Sequence, residues 1–408
     1  MNKKKIINDP VYGFISIPSA LIFDLIEHPF VQRLRNIKQT GMAHLVYPGA
    51  VHTRFHHALG AMHLMRQALE TLRSKGVDIS PEEEEAATIA ILLHDIGHGP
   101  FSHALEHSLV SGVSHEDISA LMMDRLNKEF NGQLELSIAI FNNLHPKRFL
   151  HQLVSGQLDL DRMDYLNRDS FFTGVAEGVI SSDRIIKMFA VADDNLVIEE
   201  KGIYSVEKFL IARRLMYWQV YLHKTNISAE YLLIRILERA KMLSEKGTAL
   251  FATPALQHFL KADVGREAFL SDYAHLQAFA RLDDHDAISA VKVWADAQDD
   301  VLRELCLRLM ERRLYGVQIS SEPFDETVVK ALEEKVAARL GIQTTDAHYF
   351  AFTDMVFNKA YAADERRICV LKKDGSLVDI TRASDNSNLE ALSQTVKKYV
   401  LCTIKDIQ

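Results

Sequence analysis

His94 and Asp95 stand side by side at the end of an apolar run, Ile89-Ala90-Ile91-Leu92-Leu93, and His98 and His103 follow within ten residues. An apolar run of this kind ordinarily makes buried core. Here it carries an imidazole and a carboxylate into the interior, where either group left unpaired is costly. A metal ion is the simplest partner that takes both. Gly97 and Gly99 let the backbone turn sharply and approach a ligand closely. The competing reading is a helix C-terminus with a satisfied histidine and a glycine stop. For one histidine that reading would stand; three histidines and an aspartate so close together point to a metal.

Other stretches supply further donors. From Arg54 to Lys75, residues His57, Ala61, Leu64, Ala68 and Leu72 recur three or four apart and form one helical stripe. His57 lies on it and faces inward, although alone it would read as a core histidine. Near position 160 comes Ser155-Gly156-Gln157-Leu158-Asp159-Leu160-Asp161-Arg162-Met163-Asp164-Tyr165. The interleaved Leu158, Leu160, Met163 and Leu166 predict a mostly buried helix, with Asp161, Asp164, Tyr165 and Arg168 sharing a face. The candidate metal ligands are therefore His57, His94, Asp95 and Asp161, from three separate helices. Two imidazoles and two carboxylates suit a divalent transition metal, Mn, Fe, Zn or similar, better than Mg, which would enter with substrate. Four ligands on an ion that accepts six leave room for a phosphate oxygen and a water.

The elements that must position these groups are mainly helical. Ser19 to Lys38 predicts two short helices broken near Pro29. Ser80-Pro81 and four glutamates form an N-cap, a first-turn proline and an acidic helix start, and that helix runs to His94. Ser114 caps a helix opening on His115. Asn195–Glu199 with Gly202–Tyr204 predicts a hairpin, and a long helix is expected from Val206 to Lys241. Its residues Arg213, Tyr217, Tyr221 and Lys224 make a basic and aromatic face, as consistent with a surface or interface as with a site. Lys5 to Ile15 predicts an extended pair around a turn. After about Tyr315 short apolar or alternating runs take over, with Lys373-Asp374-Gly375 as a hairpin turn, a helix over 386–397 and a last strand over 399–404. The expected organisation is a helical core over 1–315, its metal site within 50–225, and a small α+β region over 316–408.

Composition narrows the partners. The 408 residues are 48% hydrophobic and 25% charged, as in ordinary globular proteins. A net charge of -8 argues against a broad nucleic-acid-binding face. Cys306, Cys369 and Cys402 lie far apart, giving neither a zinc spacing nor a disulfide framework. No run reaches the length needed to span a bilayer. A cytoplasmic protein is expected.

His57, His94-Asp95 and Asp161, in that order, resemble the H…HD…D signature of the HD-domain metal-dependent phosphohydrolases. Over about the first 225 residues the likeness extends to the deoxynucleoside triphosphate triphosphohydrolases of the SAM-and-HD-domain type. It rests on Ile6-Ile7-Asn8-Asp9-Pro10, Gln32 through Gln39, Tyr47-Pro48-Gly49-Ala50, Arg54-Phe55 before His57, and His94 through His103. The resemblance implies an HD-domain helical core. It implies hydrolysis of a deoxynucleoside triphosphate to nucleoside and inorganic triphosphate, with a phosphatase for another phosphate ester, or a nucleotide-binding regulator with a vestigial site, as alternatives. It implies the same four metal ligands, with His98, His103 and His115 contacting phosphate or handling protons. Arg54, Arg162 and Arg213 would hold the triphosphate; Tyr165, Asp169 and Tyr221 would line the sugar and base pocket; Gln39 would meet the 3′-hydroxyl. It further implies a homo-oligomer, dimer or tetramer, with an activating nucleotide near Lys5, Asn8, Gln32 and Arg35. Three positions depart from the family pattern. Arg162 replaces a lysine of some relatives, His56 replaces a common acid, and Thr40 replaces a bulkier apolar residue that crowds a ribose 2′-hydroxyl.

Overall fold

A computed structural model describes residues 5–101, 108–110, 112–358, 361, 367–385 and 396–407. The chain opens with the antiparallel hairpin β1 (Ile6–Asp9) and β2 (Gly13–Ser16). Helices α1 (Ala20–Glu27) and α2 (Pro29–Gln32) follow, divided at Pro29 as the sequence predicts, and a 3-10 turn completes this segment. The helical core then comprises α3 (Arg54–Ser74), α4 (Pro81–Leu93), α5 (His115–Glu129), α6 (Glu135–Phe141), α7 (Arg148–Val154), α8 (Leu160–Thr173), α9 (Ser182–Lys187), α10 (Ile203–Met216) and α11 (Lys224–Glu245). No helix among the described residues is long and apolar enough to cross a membrane.

Local chemistry sets the helix starts. Ser80 Oγ accepts from Glu83 N at 3.2 Å while Glu83 returns the bond to Ser80 N at 2.9 Å, a capping box that begins α4. Ser114 and Asp117 do the same for α5. At α3 the box is made by Thr53 and His56, whose Nδ1 lies 3.2 Å from Thr53 N. The imidazole thus fills a role usually taken by a carboxylate. Asp159 caps α8 through Arg162 N at 2.7 Å, and Gly174 ends it at φ +75°.

From Ala86 to Leu93, α4 is buried on every side, and only Thr88 there is polar. Ile89, Leu92 and Leu93 join one buried cluster with α1, α5 and α11; Ala87, Ala90 and Ile91 join a second with α3, α7, α8 and α10. Its C-terminal end therefore opens inside the molecule. Where α3 crosses α8, a Cβ on Gly60 would lie 2.0 Å from Asp164 Oδ1 and 2.2 Å from Arg168 Nη2, so only glycine fits. Gly60→Ala should destabilise the fold by about 1–3 kcal/mol through overpacking, although alanine is the better helix former by about 1 kcal/mol. Chemical denaturation of the two proteins reads the difference.

Three sequence expectations change. The single helix over 206–241 is two, separated by a π-helical turn at Tyr217–Tyr221, and His223 Nδ1 accepts from Thr225 N at 3.2 Å to start α11. The hairpin pairs β3 (Phe189–Ala192) with β4 (Asn195–Glu199); Asp193 and Asp194 turn at φ +49° and +58°, and residues 202–204 lead into α10 instead. Aspartate tolerates this left-handed region, which the strand pattern does not reveal. Of the helix expected over 386–397, residues 386–395 lie outside the described residues, and 396–397 begin a strand.

The C-terminal region is α+β. Strands β5 (Gly316–Ser320), β6 (Ala351–Asn358) and β9 (Val396–Thr403) form one antiparallel sheet in the order β5-β9-β6. Strands β7 (Cys369–Leu371) and β8 (Leu377–Asp379) extend the β3–β4 hairpin, Val370 lying opposite Ile198. Residues after 316 thus complete a sheet begun within the helical core.

Candidate metal centre

His94 follows directly on α4, α3 brings His57 and the first turn of α8 brings Asp161. His57 Nε2 lies 3.4 Å from His94 Nε2 and 3.1 Å from Asp161 Oδ1; His94 Nε2 lies 3.5 Å from Asp161 Oδ1 and 3.4 Å from Asp95 Oδ1. The other nitrogen of each ring is engaged: His57 Nδ1 meets Asp164 Oδ2 at 2.8 Å, and His94 Nδ1 meets Ile91 O at 2.6 Å. With each Nδ1 engaged by a carboxylate or carbonyl, protonation there leaves both Nε2 atoms able to offer lone pairs to one centre beside carboxylate oxygens. Lone pairs gathered in this way repel unless a cation or a proton lies between them. Metal–ligand bonds of about 2.0–2.2 Å place neighbouring ligands about 3.0–3.5 Å apart, so the donor set fits a divalent ion in spacing and in chemistry. Without metal a proton takes the place. Burial opposes it, but hydrogen bonds donated by the ring to the Asp161 and Asp164 carboxylates prevail and push His57 up to about 10. Asp161 is held well below its ordinary range, burial being outweighed by His57 and His94.

The turn after α4 is clamped from three sides. Ser119 Oγ on α5 donates to His94 O at 2.7 Å and accepts from Gly97 N at 2.9 Å. A Cβ on Gly97 would lie 2.2 Å from His115 O, so the turn and α5 touch only because position 97 is glycine. Buried Arg33 donates to Ile96 O and His98 O, both at 2.9 Å. Asp95 Oδ2 accepts from Arg54 Nη1 at 2.7 Å, and its Oδ1 lies 3.3 Å from His98 Nε2. The His98 and His115 rings stack at 3.8 Å and 16°. Asp95, His98 and His115 form a second convergent group beside the first. Burial, then the nearby Arg54 charge, pushes His98 down to about 3, so it is neutral at pH 7.

A wall of polar and aromatic side chains adjoins these groups in the fold. Asp169 accepts from Tyr221 Oη at 2.6 Å and meets His52 Nε2 at 2.6 Å. Tyr165 packs edge-on to Tyr221 at 6.2 Å, and His52 stacks on Phe172 at 4.5 Å. Gln39 N bonds to His52 O at 3.0 Å. Among the described residues, Gln39 Oε1 and Thr40 Oγ1 are buried without a hydrogen-bond partner. Arg162 pairs with its helix cap Asp159, and Arg213 reaches Gln157 Oε1 at 3.5 Å. The expected pocket residues Tyr165, Asp169 and Tyr221 are thus brought together. His103 lies outside the described residues. At the N-terminal face, Gln32 and Arg35 bond to each other at 2.8 Å, Arg35 stacks on Phe55, Lys5 lies over Phe23, and Asn8 sits on β1 opposite Phe14.

Sequence reasoning missed His52, Arg33 and Ser119. For Arg33 a signal existed: a charge amid Phe30, Val31, Leu34 and Ile37 must be buried and paired. His52 and Ser119 carry none, because each acts on a residue distant in sequence.

The HD domain model matches residues 54–169, and the model for the HD associated region matches 180–252. The first span begins at Arg54 and ends at Asp169, enclosing all four candidate ligands. The chain is an HD-domain phosphohydrolase. It is 31% identical to the uncharacterized protein YwfO of Bacillus subtilis over 94% of this chain and 88% of that one. A crystal structure of a phosphohydrolase from Bacteroides thetaiotaomicron superposes with a TM-score of 0.95 at 54% identity, covering 98% of this chain and 99% of the other. A deoxynucleoside triphosphate triphosphohydrolase SAMHD1 homolog from Dictyostelium discoideum is 32% identical over 56% of this chain and 48% of its own length. The phosphohydrolase therefore spans about half of that relative. HD domains bind divalent metals, and His57, His94 and Asp161 could hold one here.

Proposed function

We propose that this enzyme hydrolyses nucleoside triphosphates, deoxynucleotides preferred, to nucleoside and inorganic triphosphate. The observation that carries the reading is the convergence of the His57 and His94 lone pairs with the Asp95 and Asp161 carboxylates, with Arg54 at their edge and Arg162 and Arg213 nearby in the fold. His57, His94, Asp95 and Asp161 would hold an ion of the Mn, Fe or Zn kind. When bound, it supplies Lewis acidity toward phosphate and lowers the pKa of a water. Arg54, Arg162 and Arg213 grip the phosphate chain, since a guanidinium takes two oxygens at once. Water adds at the α-phosphorus, the bond to the nucleoside 5′-oxygen breaks, and His115 delivers the proton that this oxygen needs. Neutral His98, stacked on His115, holds that ring in place and donates its ring N–H to a phosphate oxygen. The likeness to a named triphosphohydrolase supports the substrate class.

A panel of nucleotides with product identification tests the reading: inorganic triphosphate with free nucleoside supports it, and orthophosphate release sinks it in favour of a phosphatase. The same panel reads sugar selection. Thr40 is small, and its hydroxyl has no partner among the described residues. A pocket without a steric block discriminates poorly against an isostere that merely adds a hydroxyl, so ribonucleotides should be turned over measurably, and Thr40→Leu should sharpen the deoxy preference. Indifference of the wild type to ribonucleotides, with Thr40→Leu changing nothing, would place selection elsewhere. We further infer a homo-oligomer stimulated by a second nucleotide bound near Lys5, Asn8, Gln32 and Arg35. Stimulation lost in Arg35→Ala supports that site, and unstimulated hyperbolic kinetics count against it.

A further inference from the structure

Asp164 is not a metal ligand, yet it touches one: its Oδ2 lies 2.8 Å from His57 Nδ1. The same oxygen accepts from Arg168 Nε at 2.9 Å, and Oδ1 accepts from Arg168 Nη2 at 3.0 Å. The far side of that guanidinium is held by Asp9, Oδ2 receiving Nη1 at 2.7 Å and Oδ1 receiving Nη2 at 3.3 Å. Asp9 ends strand β1 and is itself fixed, because its Oδ1 accepts from Val11 N and Tyr12 N at 2.9 and 3.0 Å. His57, Asp164 and Arg168 are fully buried, and Asp9 is 7% exposed. Glycine at position 60 keeps this line of contacts open, since any Cβ there would strike Asp164 and Arg168.

We propose that Asp9 of the N-terminal hairpin is a positioning residue for the metal, acting through Arg168 and Asp164 on His57. Two effects run the same way. Asp9 fixes the guanidinium fork, which fixes the Asp164 carboxylate plane and so the ring of His57. Asp9 also shares the Arg168 charge. With Asp9 neutral, Arg168 draws wholly on Asp164, which becomes a poorer acceptor for His57 Nδ1–H, and Nε2 becomes a weaker donor to metal. Outer partners of metal-bound histidines typically set metal affinity over a 10–100-fold range. An ion pair built only for stability would link hairpin and helix without a metal ligand at its end.

The inference rests on the metal reading above, and the test separates the two. Full-length protein stripped with a chelator is titrated with Co(II), following the visible d–d band and the affinity by chelator competition, with circular dichroism as the check on folding. Asp9→Asn keeps the turn-forming oxygen and removes the charge; it should weaken Co(II) binding about three- to tenfold and shift the band. Asp164→Asn should lose about 10–100-fold, and Asp9→Glu, which keeps the charge at a longer reach, should fall between wild type and Asp9→Asn. If Asp9→Asn does not fold, Asp9→Glu against wild type gives the same reading. Unchanged affinity and band in the folded Asp9 variants, with Asp161→Asn weakened, overturns the positioning role alone. Unchanged binding in Asp161→Asn overturns the metal reading itself.

Discussion

Asp161→Ala should abolish both metal retention and turnover while leaving the helical core folded. The side chain lies in the first turn of α8 and is a quarter exposed, so its removal opens no closed cavity. The loss falls on the site. Asp161 Oδ1 lies between the two imidazoles, 3.1 Å from His57 Nε2 and 3.5 Å from His94 Nε2. A lost ligand should cost more than the roughly 100-fold that a lost outer partner can. Proton linkage sharpens the test. In the metal-free protein His57 holds its proton up to about pH 10, because the hydrogen bonds it donates to Asp161 and Asp164 overcome burial. Metal must displace that proton, so affinity rises with pH. Stability runs the other way in the metal-free protein. A folded-state pKa above the ordinary 6.5 contributes stability that is complete below about pH 6.5 and is lost as pH climbs toward 10. Asp161→Ala should lessen both slopes. Bound metal measured by mass spectrometry after dialysis, with thermal unfolding at several pH values, checks each part. Full activity in this variant would show the coordination sphere to be wrong.

What the sequence reveals about the site follows from how local each device is. The step from an apolar run to His94-Asp95 is local, and so are the Ser80 and Ser114 caps and the stripe that turns His57 inward; the structure places each as expected. Contacts that cross the fold leave no local mark. Asp164 could be seen to share a helix face with Asp161, but that it meets the opposite nitrogen of the same histidine needs α3 and α8 packed at Gly60. Asp9 reads as a turn residue, which it is, and only the folded chain shows its other oxygen on Arg168 159 positions away. The break at Tyr217–Tyr221 is illegible because the segment holds neither glycine nor proline. The extra residue per turn is fixed by packing, with Tyr47 Oη donating to Gln219 O at 2.6 Å and Tyr221 tied to Asp169. The sequence does not mark β3 as the partner of β4, because Asp193-Asp194 makes a tight turn without the glycine that usually announces one.

His115→Ala should give the complementary result, with metal kept and turnover reduced by roughly two to four orders of magnitude, as for a lost general acid. The ring stands at the start of α5, partly exposed, and stacks on His98 at 3.8 Å. Ser114 and Asp117 cap α5 without the His115 side chain, so the helix and the Ser119 clamp on the turn survive the substitution. The leaving 5′-oxygen is a poor leaving group without a proton, and neutral His98, pushed down to about 3, has none to give at pH 7. Two readouts separate a proton donor from a structural ring. The alkaline limb of the kcat profile should vanish in His115→Ala, and a p-nitrophenyl ester, whose leaving group needs no proton, should be slowed far less than a nucleoside triphosphate. Loss of metal in this variant would give a different result: it would move His115 among the ligands, in the group that Asp95, His98 and His115 already form, and the proton would have to come from elsewhere.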